Sequence, residues 1–208
     1  LTIAEIGELT TTKYYRAVVS SGACTSVTSG TIAVAAATTT WTSAAGGSWS
    51  NGAPNSKTAA VISYDYTSSG DLNACSLTVT NGANVVMSSG DNINLFGALT
   101  VSSGTFTLNN NANLVQETDA TNSGNVIVKR ASASLMRQDY ALWSSPVAGQ
   151  QLQSFSPNTL SNRFYTFDGS LGSAGQYVAT AATGSFSSGT GYLIRMPNNH
   201  PATPTVWS

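Results

Sequence analysis

A row of short strand-like segments that recurs between residues 73 and 130 constrains the fold of this chain more than any other feature. The recurrence is seen by comparing residues 76–79 with 98–101, 84–87 with 105–108, and 93–96 with 113–116. The spacing from Leu77 to Leu99 is 22 positions. Self-similarity at a fixed period in this range is typical of a repeat architecture, in which successive units stack on one another.

Each period holds three short runs separated by Asn-Gly, Ser-Gly or Asn-Asn, which indicates strands joined by tight corners. Three strands and three corners per period predict one coil of a right-handed parallel β-helix. An antiparallel sandwich also has short strands at regular spacing, but the repetition of whole rows favours the β-helix. The predicted inward residues are Leu77, Val79, Val86, Ile93, Leu95, Leu99, Val101, Phe106, Leu108, Leu114, Val126 and Val128.

The composition narrows the classes of partner. The chain has 208 residues, of which 41% are hydrophobic and only 8% charged, with a formal net charge of −1. Hydroxyl and amide side chains must therefore keep it in solution, and nothing indicates a nucleic acid or an anionic membrane as partner. No apolar run reaches the length of a membrane span.

Residues 1–37 precede the repeat and read as the end of another β domain. The alternating run from Lys13 to Val19 and the run from Thr31 to Val34 predict a hairpin. A lone hairpin is marginal in water, so an upstream segment is expected to complete the sheet. The chain begins with Leu1 and shows no signal peptide, so we expect a piece of a longer, processed protein.

Two tryptophans, Trp41 and Trp49, lie among Gly, Asn and Pro between a low-complexity joint at residues 35–40 and the repeat. An open β-helix end exposes unpaired backbone and apolar interior, and two large rings are suited to cover it. A carbohydrate-stacking platform is the alternative interpretation. The capped β-helix is expected over residues 38–130, with residues 61–66 as its first strand.

The pattern changes after Arg130, where rows no longer repeat and aromatic residues become denser. Strands are predicted at residues 139–147, 163–168 and 191–197. Residues 131–208 are therefore predicted to form a partial antiparallel β domain. Its Trp143 is the third candidate for stacking on a sugar ring.

The three predicted domains, residues 1–37, 38–130 and 131–208, follow one another in an order that resembles an arrangement in very large surface proteins of Bacteroidota. The resemblance rests on residues 49–54 (WSNGAP), 74–79 (ACSLTV), 140–147 (YALWSSPV), 160–165 (LSNRFY) and 189–195 (GTGYLIR). Proteins with this arrangement are typically exported by the type IX secretion system and held at the cell surface, and some are adhesins of gliding cells. The resemblance implies an extracellular location and the type IX export machinery as a partner.

The resemblance also gives residues 1–37 an identity, because residues 14–19 (YYRAVV) followed by Cys24 are similar to the last strands of Ig-like repeats. In that pattern the cysteine usually pairs with one earlier in the domain. Pairing of Cys24 with Cys75 in an oxidising compartment remains an alternative. The other is that Cys75 is a small buried residue of the first full coil.

Parallel β-helices also host polysaccharide lyases and hydrolases, so catalytic chemistry must be weighed. Glycoside hydrolysis needs two facing carboxylates, and the acids inside the repeat are Asp91, Glu117 and Asp119, none of which recurs at the coil period. No Lys or Arg lies between Lys57 and Lys129 to act as a base. Metal-type Cys/His clusters are absent from the sequence, and the lone His200 has no neighbouring ligand. No enzyme activity, cofactor or metal is therefore expected.

These observations predict a structural and adhesive segment of a large extracellular cell-surface protein. Stacked coils would space and stiffen, while Ser/Thr/Asn faces or aromatic loops contact a surface polysaccharide or a solid substratum. The alternative is a glycan-binding module of a secreted carbohydrate-active enzyme, with Trp41, Trp49 or Trp143 as stacking residues.

Overall fold

The computed structural model describes residues 13–22, 24–34, 37–43 and 46–206. The first twelve residues of the predicted Ig-like end lie outside the described residues, as do positions 23, 35–36, 44–45 and 207–208. In the described ranges the chain is all-β apart from one short helix, and the chain divides into units at residues 1–127 and 128–208. No helix in these ranges has the length and hydropathy needed to cross a membrane.

The segment before the repeat forms two small antiparallel ladders. Its strands are β1 (Lys13–Tyr15), β2 (Val18–Ser21), β3 (Cys24–Thr28) and β4 (Ile32–Val34). β1 pairs with β4 and β2 with β3. The run predicted as one strand over residues 13–19 is interrupted at Ala17, whose N–H donates to Ser29 Oγ at 2.9 Å. Only β1 pairs with the predicted partner run, as β4; β2 pairs instead with β3, a strand that the hairpin prediction did not include.

A β-solenoid of about four turns follows. Its strands are β5 (Ala37–Trp41), β6 (Thr58–Ile62), β7 (Tyr66–Thr67), β8 (Leu72–Ala74), β9 (Ser76–Val79), β10 (Asn84–Met87), β11 (Asn92–Leu95), β12 (Leu99–Val101), β13 (Thr105–Leu108), β14 (Asn113–Gln116) and β15 (Val126–Val128). They form three sheets in the orders β15-β13-β10-β7, β14-β11-β8 and β12-β9-β6-β5. The predicted parallel β-helix is confirmed as a solenoid.

The strand register confirms two of the three predicted rows and corrects the third. Leu99 pairs with Leu77 in parallel, and residues 105–108 pair with 84–87. In the third row Ile93 pairs with Leu114, so the predicted alignment of residues 93–96 with 113–116 was wrong by one position. The corners that precede this row, residues 88–91 and 109–112, hold four residues each, so the spacing stays at 21 positions as in the second row, whereas the predicted alignment assumed 20.

The solenoid interior contains the apolar residues that alternate along each strand. Most predicted inward side chains are buried, including Leu77, Leu99 and Phe106, each 0% exposed. Val86 was predicted to point inward and does not, because Val85 and Met87 on either side of it are fully buried. The period-2 alternation of a strand then turns Val86 outward.

The N-terminal end of the solenoid also differs from the prediction. Residues 35–40 were predicted to be a low-complexity joint, but β5 pairs in parallel with β6 over its whole length. The predicted boundary at residue 38 therefore falls inside a solenoid strand. The predicted first strand at residues 61–66 is in fact the end of β6, a corner at Ser63–Asp65, and the start of β7.

The second unit is built around a four-stranded antiparallel sheet. Its elements are β16 (Ser134–Leu135), β17 (Tyr140–Trp143), α1 (Leu152–Phe155), β18 (Phe164–Asp168), β19 (Gln176–Ala179), β20 (Tyr192–Arg195) and β21 (Thr205–Val206). The sheet order is β17-β20-β18-β19, and β16 pairs separately with β21. One sheet face packs on a core of Leu152, Phe164, Ala182, Phe186, Tyr192 and Ile194.

Candidate functional site

Trp41 and Trp49 lie together at the first turn of the solenoid, where they form an aromatic cluster with Tyr66. Ring centroids are 5.5 Å apart for Trp41–Trp49 and 5.0 Å apart for Trp41–Tyr66. The Trp41 Nε1–H donates to the Asp65 carbonyl oxygen at 3.2 Å. These edge-on contacts fix the rings relative to one another. We refer to Trp41, Trp49 and Tyr66 as the end cluster.

Strand register shows which way the end cluster points. Trp41 pairs with Ile62 and Tyr66 with Val85, and both partners are fully buried in the solenoid interior. Residues paired in a parallel ladder share a face of the sheet, so Trp41 and Tyr66 lie over the interior of the first turn. Burial raises the pKa of the Tyr66 hydroxyl, and the Asp91 charge adds to this. This arrangement favours the cap over a sugar-stacking platform.

Gly47 allows the close packing of the end cluster. A Cβ at this position would lie 2.8 Å from the Trp41 ring, closer than carbon atoms pack. The close approach of the Gly47 backbone to the Trp41 indole therefore explains why one residue of the Gly-Gly pair must be glycine. The irregular segment folds over the first turn because its small residues leave room for the large ones.

Replacing Trp41 by alanine should lower the free energy of unfolding by about 1–3 kcal/mol, less than a fully buried Trp would lose, because the ring is only half-buried. The matched control is Tyr64→Ala, since Tyr64 is 47% exposed and lies in the corner whose Asp65 carbonyl oxygen accepts the hydrogen bond from Trp41. Urea unfolding should separate the two variants. Equal stability of Trp41→Ala and the parent would contradict the cap.

Trp143 lies in the other unit, so the three candidate tryptophans do not form one site. It is half-buried and packs against the second-unit core, with its ring centroid 5.3 Å from that of Phe155. The alternation of β17 turns it toward this core together with Ala141. Trp143 is a packing residue on this geometry, which its sequence position did not show.

The carboxylates of the repeat are used to join one coil to the next. Asp91 accepts hydrogen bonds from Ser68 Oγ at 2.6 Å and from the Gly70 N–H at 2.9 Å. Asp71 Oδ1 accepts from the Asn92 N–H at 2.7 Å. Each acid sits at a corner and satisfies donors of an adjacent coil. The structure therefore gives Asp91 and Asp71 structural roles; Glu117 and Asp119 are exposed.

Among the described residues, no group of three or more His, Cys, Asp or Glu side chains is placed to hold a metal ion. His200 is 9% exposed, and its Nε2 lies 2.8 Å from the Leu135 carbonyl oxygen. It ties the segment before β21 to β16 within the second unit. Cys75 is 1% exposed, as expected for a small residue inside the first full coil.

A shallow groove on the outside of the solenoid was not predicted. It has a volume of about 470 Å³ and runs along β9 and β12 beside the loops at residues 96–98 and 118–120. Its lining residues are Ser76, Thr78, Phe96, Gly97, Ala98, Thr100, Thr118 and Ala120. Thr78 pairs directly with Thr100. These outward-facing threonines of the repeat were the feature of the sequence that could have indicated the groove. The groove offers hydroxyls and one aromatic ring without a charge.

Residues 33–208 match a sequence family described as "Domain of unknown function (DUF8693)". Among curated proteins and solved structures, none matches this chain. The family match spans both units and begins within β4.

Proposed function

Since this chain belongs to the DUF8693 family of unknown function, we propose from its own surfaces that it is a structural and adhesive segment of a large extracellular cell-surface protein. The solenoid acts as a stiff spacer. Its uncharged outer surface, and the threonine-lined groove in particular, makes weak contacts with a surface polysaccharide or a solid substratum.

The observation that carries this proposal is a set of side-chain ladders running from coil to coil outside a closed apolar interior. Asn94 Nδ2 donates to Asn73 Oδ1 at 2.9 Å, and Thr105 Oγ1 donates to Asn84 Oδ1 at 2.9 Å. Asn113 Nδ2 continues the pattern toward Asn92 at 3.0 Å. Such ladders add to the backbone hydrogen bonds between coils. They stiffen the solenoid along its stacking direction and leave neutral amides and hydroxyls facing water.

Adhesion through such a surface is weak for each copy. A neutral hydrogen bond with a ligand replaces one with water, so its net contribution is only about 0.5–1.5 kcal/mol. Many copies on one cell raise the effective concentration of sites and give firm attachment without strong single contacts.

Export by the type IX secretion system in a bacterium of the Bacteroidota belongs to the proposal, through the sequence resemblance. So do an Ig-like identity for β1–β4, a right-handed solenoid and a separate antiparallel β domain.

The test uses beads coated with the chain at high and low density, placed on glass and on a neutral polysaccharide. Retention should rise steeply with coating density. On the neutral polysaccharide it should change little from about 0.01 M to about 1 M salt, although this shortens the screening length from roughly 30 Å to roughly 3 Å. The double variant Thr78→Val, Thr100→Val removes two groove hydroxyls and should reduce retention on the order of fivefold.

The matched control is Thr67→Val, which removes an exposed hydroxyl on another sheet of the solenoid. Unchanged retention of the double variant would exclude the groove as the contact surface. Tight binding of one soluble copy to a defined glycan, lost in Trp49→Ala, would favour the glycan-binding module of a secreted enzyme. Depolymerisation of a polysaccharide by the purified chain would contradict both proposals.

A further inference from the structure

The second unit has an outer sheet face that is aromatic and exposed. Phe164, Ile194 and Tyr192 point into the core, so the alternate residues of β17, β18, β19 and β20 point away from it. Leu142 is 65% exposed and Phe167 55% exposed. We define the outer face by Tyr140, Leu142, Arg163, Tyr165, Phe167, Tyr177, Leu193 and Arg195.

Two arginines lie side by side in one row of this face. The Arg195 N–H donates to the Arg163 carbonyl oxygen at 3.2 Å, and Tyr140 pairs with Arg195 from the other side. Arg163 Nη1 donates to the Tyr165 hydroxyl at 3.1 Å, and Arg195 Nη2 donates to Asn198 Oδ1 at 2.7 Å. Both guanidinium groups are thus held by neutral partners. Neither hydrogen bond supplies a negative charge.

The Nε atoms of Arg163 and Arg195 are also buried without a hydrogen-bond partner in the described part of the chain. A buried donor that lacks an acceptor is costly, and more so on a charged group. An external ligand cannot reach these buried atoms; it would instead meet the remaining N–H groups of two cationic side chains whose hydrogen bonds go to Tyr165 and Asn198, both neutral.

The net charge of the second unit also favours an anionic ligand. Residues 128–208 contain five basic and two acidic residues, a formal net charge of +3, whereas residues 1–127 contain three basic and seven acidic residues, or −4. The near-neutral chain therefore consists of two units of opposite sign. An anionic ligand is attracted to the second unit and repelled by the first.

The aromatic residues beside the arginines narrow the ligand class. The Tyr140 and Tyr165 ring centroids are 6.0 Å apart, and Phe167 with Tyr177 forms a second aromatic pair at 5.4 Å on the same sheet. Exposed rings offer apolar faces with polar edges, which suits a sugar ring whose C–H groups line one face and whose hydroxyls lie at the rim. Arginine recognises carboxylates through parallel N–H donors.

We propose that the outer face binds an acidic polysaccharide, with a uronate carboxylate at Arg163 and Arg195 and neighbouring sugar rings on Tyr140 and Tyr165. The inference rests on the proposed adhesive function and names the ligand class of the second unit. Binding here depends on charge, unlike the contacts made by the neutral solenoid surface.

The experiment measures the affinity of the full chain for polygalacturonate and for the same polymer after its carboxyl groups are reduced to alcohols. Binding to the acidic polymer should weaken roughly tenfold or more in each of the single variants Arg163→Gln and Arg195→Gln, because each variant loses hydrogen bonds to the charged uronate carboxylate. The matched control is Arg137→Gln, an exposed arginine of the same unit. Tyr140→Ala should weaken binding to the acidic polymer as well.

The unaltered chain gives an independent readout if an arginine variant fails to fold. Its binding to polygalacturonate should fall with rising salt, and the reduced polymer should bind weakly. Equal affinity for the two polymers would overturn the acidic-glycan site but leave the neutral adhesion intact. Absence of retention on every surface would instead overturn the proposed function. Self-association abolished by Leu142→Ser would show that a second copy occupies the face, which would also overturn this inference.

Discussion

Replacing Phe106 by alanine should lower the free energy of unfolding by about 3–5 kcal/mol, the range for large-to-small changes in well-packed cores. Phe106 is 0% exposed and pairs with Val85, which is also fully buried. The coils above and below are tied to it by backbone ladders, so the solenoid cannot close on the cavity without breaking them. The expected loss is therefore at the upper part of the range.

The matched control is Val115→Ala, because Val115 lies on β14, points outward and is 48% exposed. It should change stability by at most about 0.5 kcal/mol. Hydrogen exchange on peptides covering residues 84–116 during urea unfolding would report the solenoid separately from the second unit. Equal protection in both variants would mean that Phe106 contributes no more than a surface residue.

Replacing Gly104 by alanine should cost about 2–5 kcal/mol. Gly104 adopts φ +92°, which by itself strains a residue with a side chain by about 1–2 kcal/mol. An added Cβ would also overlap the Ala83 carbonyl oxygen and lie 2.7 Å from the Ala83 nitrogen. Overpacking of this kind adds about 1–3 kcal/mol. The overlap arises because Thr105 N–H donates to the Ala83 carbonyl at 3.0 Å, which brings the two corners together.

Gly82 provides the matched control, since it has φ +72° but no atom within 4 Å of an added Cβ. Gly82→Ala should therefore cost only the backbone strain, about 1–2 kcal/mol. The same hydrogen-exchange measurement separates strain from stacking. If both variants lost the same stability, close approach of the corners would not limit the choice of residue at position 104.

The solenoid could be predicted because apolar and polar residues alternate along each strand and this alternation recurs from coil to coil. Leu77 and Leu99 both face inward and pair with each other, as the 22-residue spacing predicted. The errors were errors of register. The predicted third row assumed a spacing of 20 positions, although the spacing is 21, as in the second row. The adjacent valines at 85 and 86 gave two equally apolar choices for the inward side.

The candidate site was harder to predict, because its members come from different coils or strands. Trp41 and Tyr66 are close because β5 is a strand of the solenoid. The run of Ala and Thr that forms β5 has no apolar alternation from which a solenoid strand could be predicted. Arg163 and Arg195 are separated by a long stretch of chain and meet only because β18 and β20 are neighbours.

By itself, the sequence determined that the chain is all-β, that its middle stacks coils of about one period, and that its outer surface is hydroxyls and amides. These properties follow from local alternation and turn residues, which each segment carries independently. Only the tertiary structure decided that Asp71 and Asp91 serve coil-to-coil hydrogen bonds, that Trp143 packs into a core, and that two arginines share one sheet face. Strand order and register bring those residues together, and both are set by the packing of the whole unit.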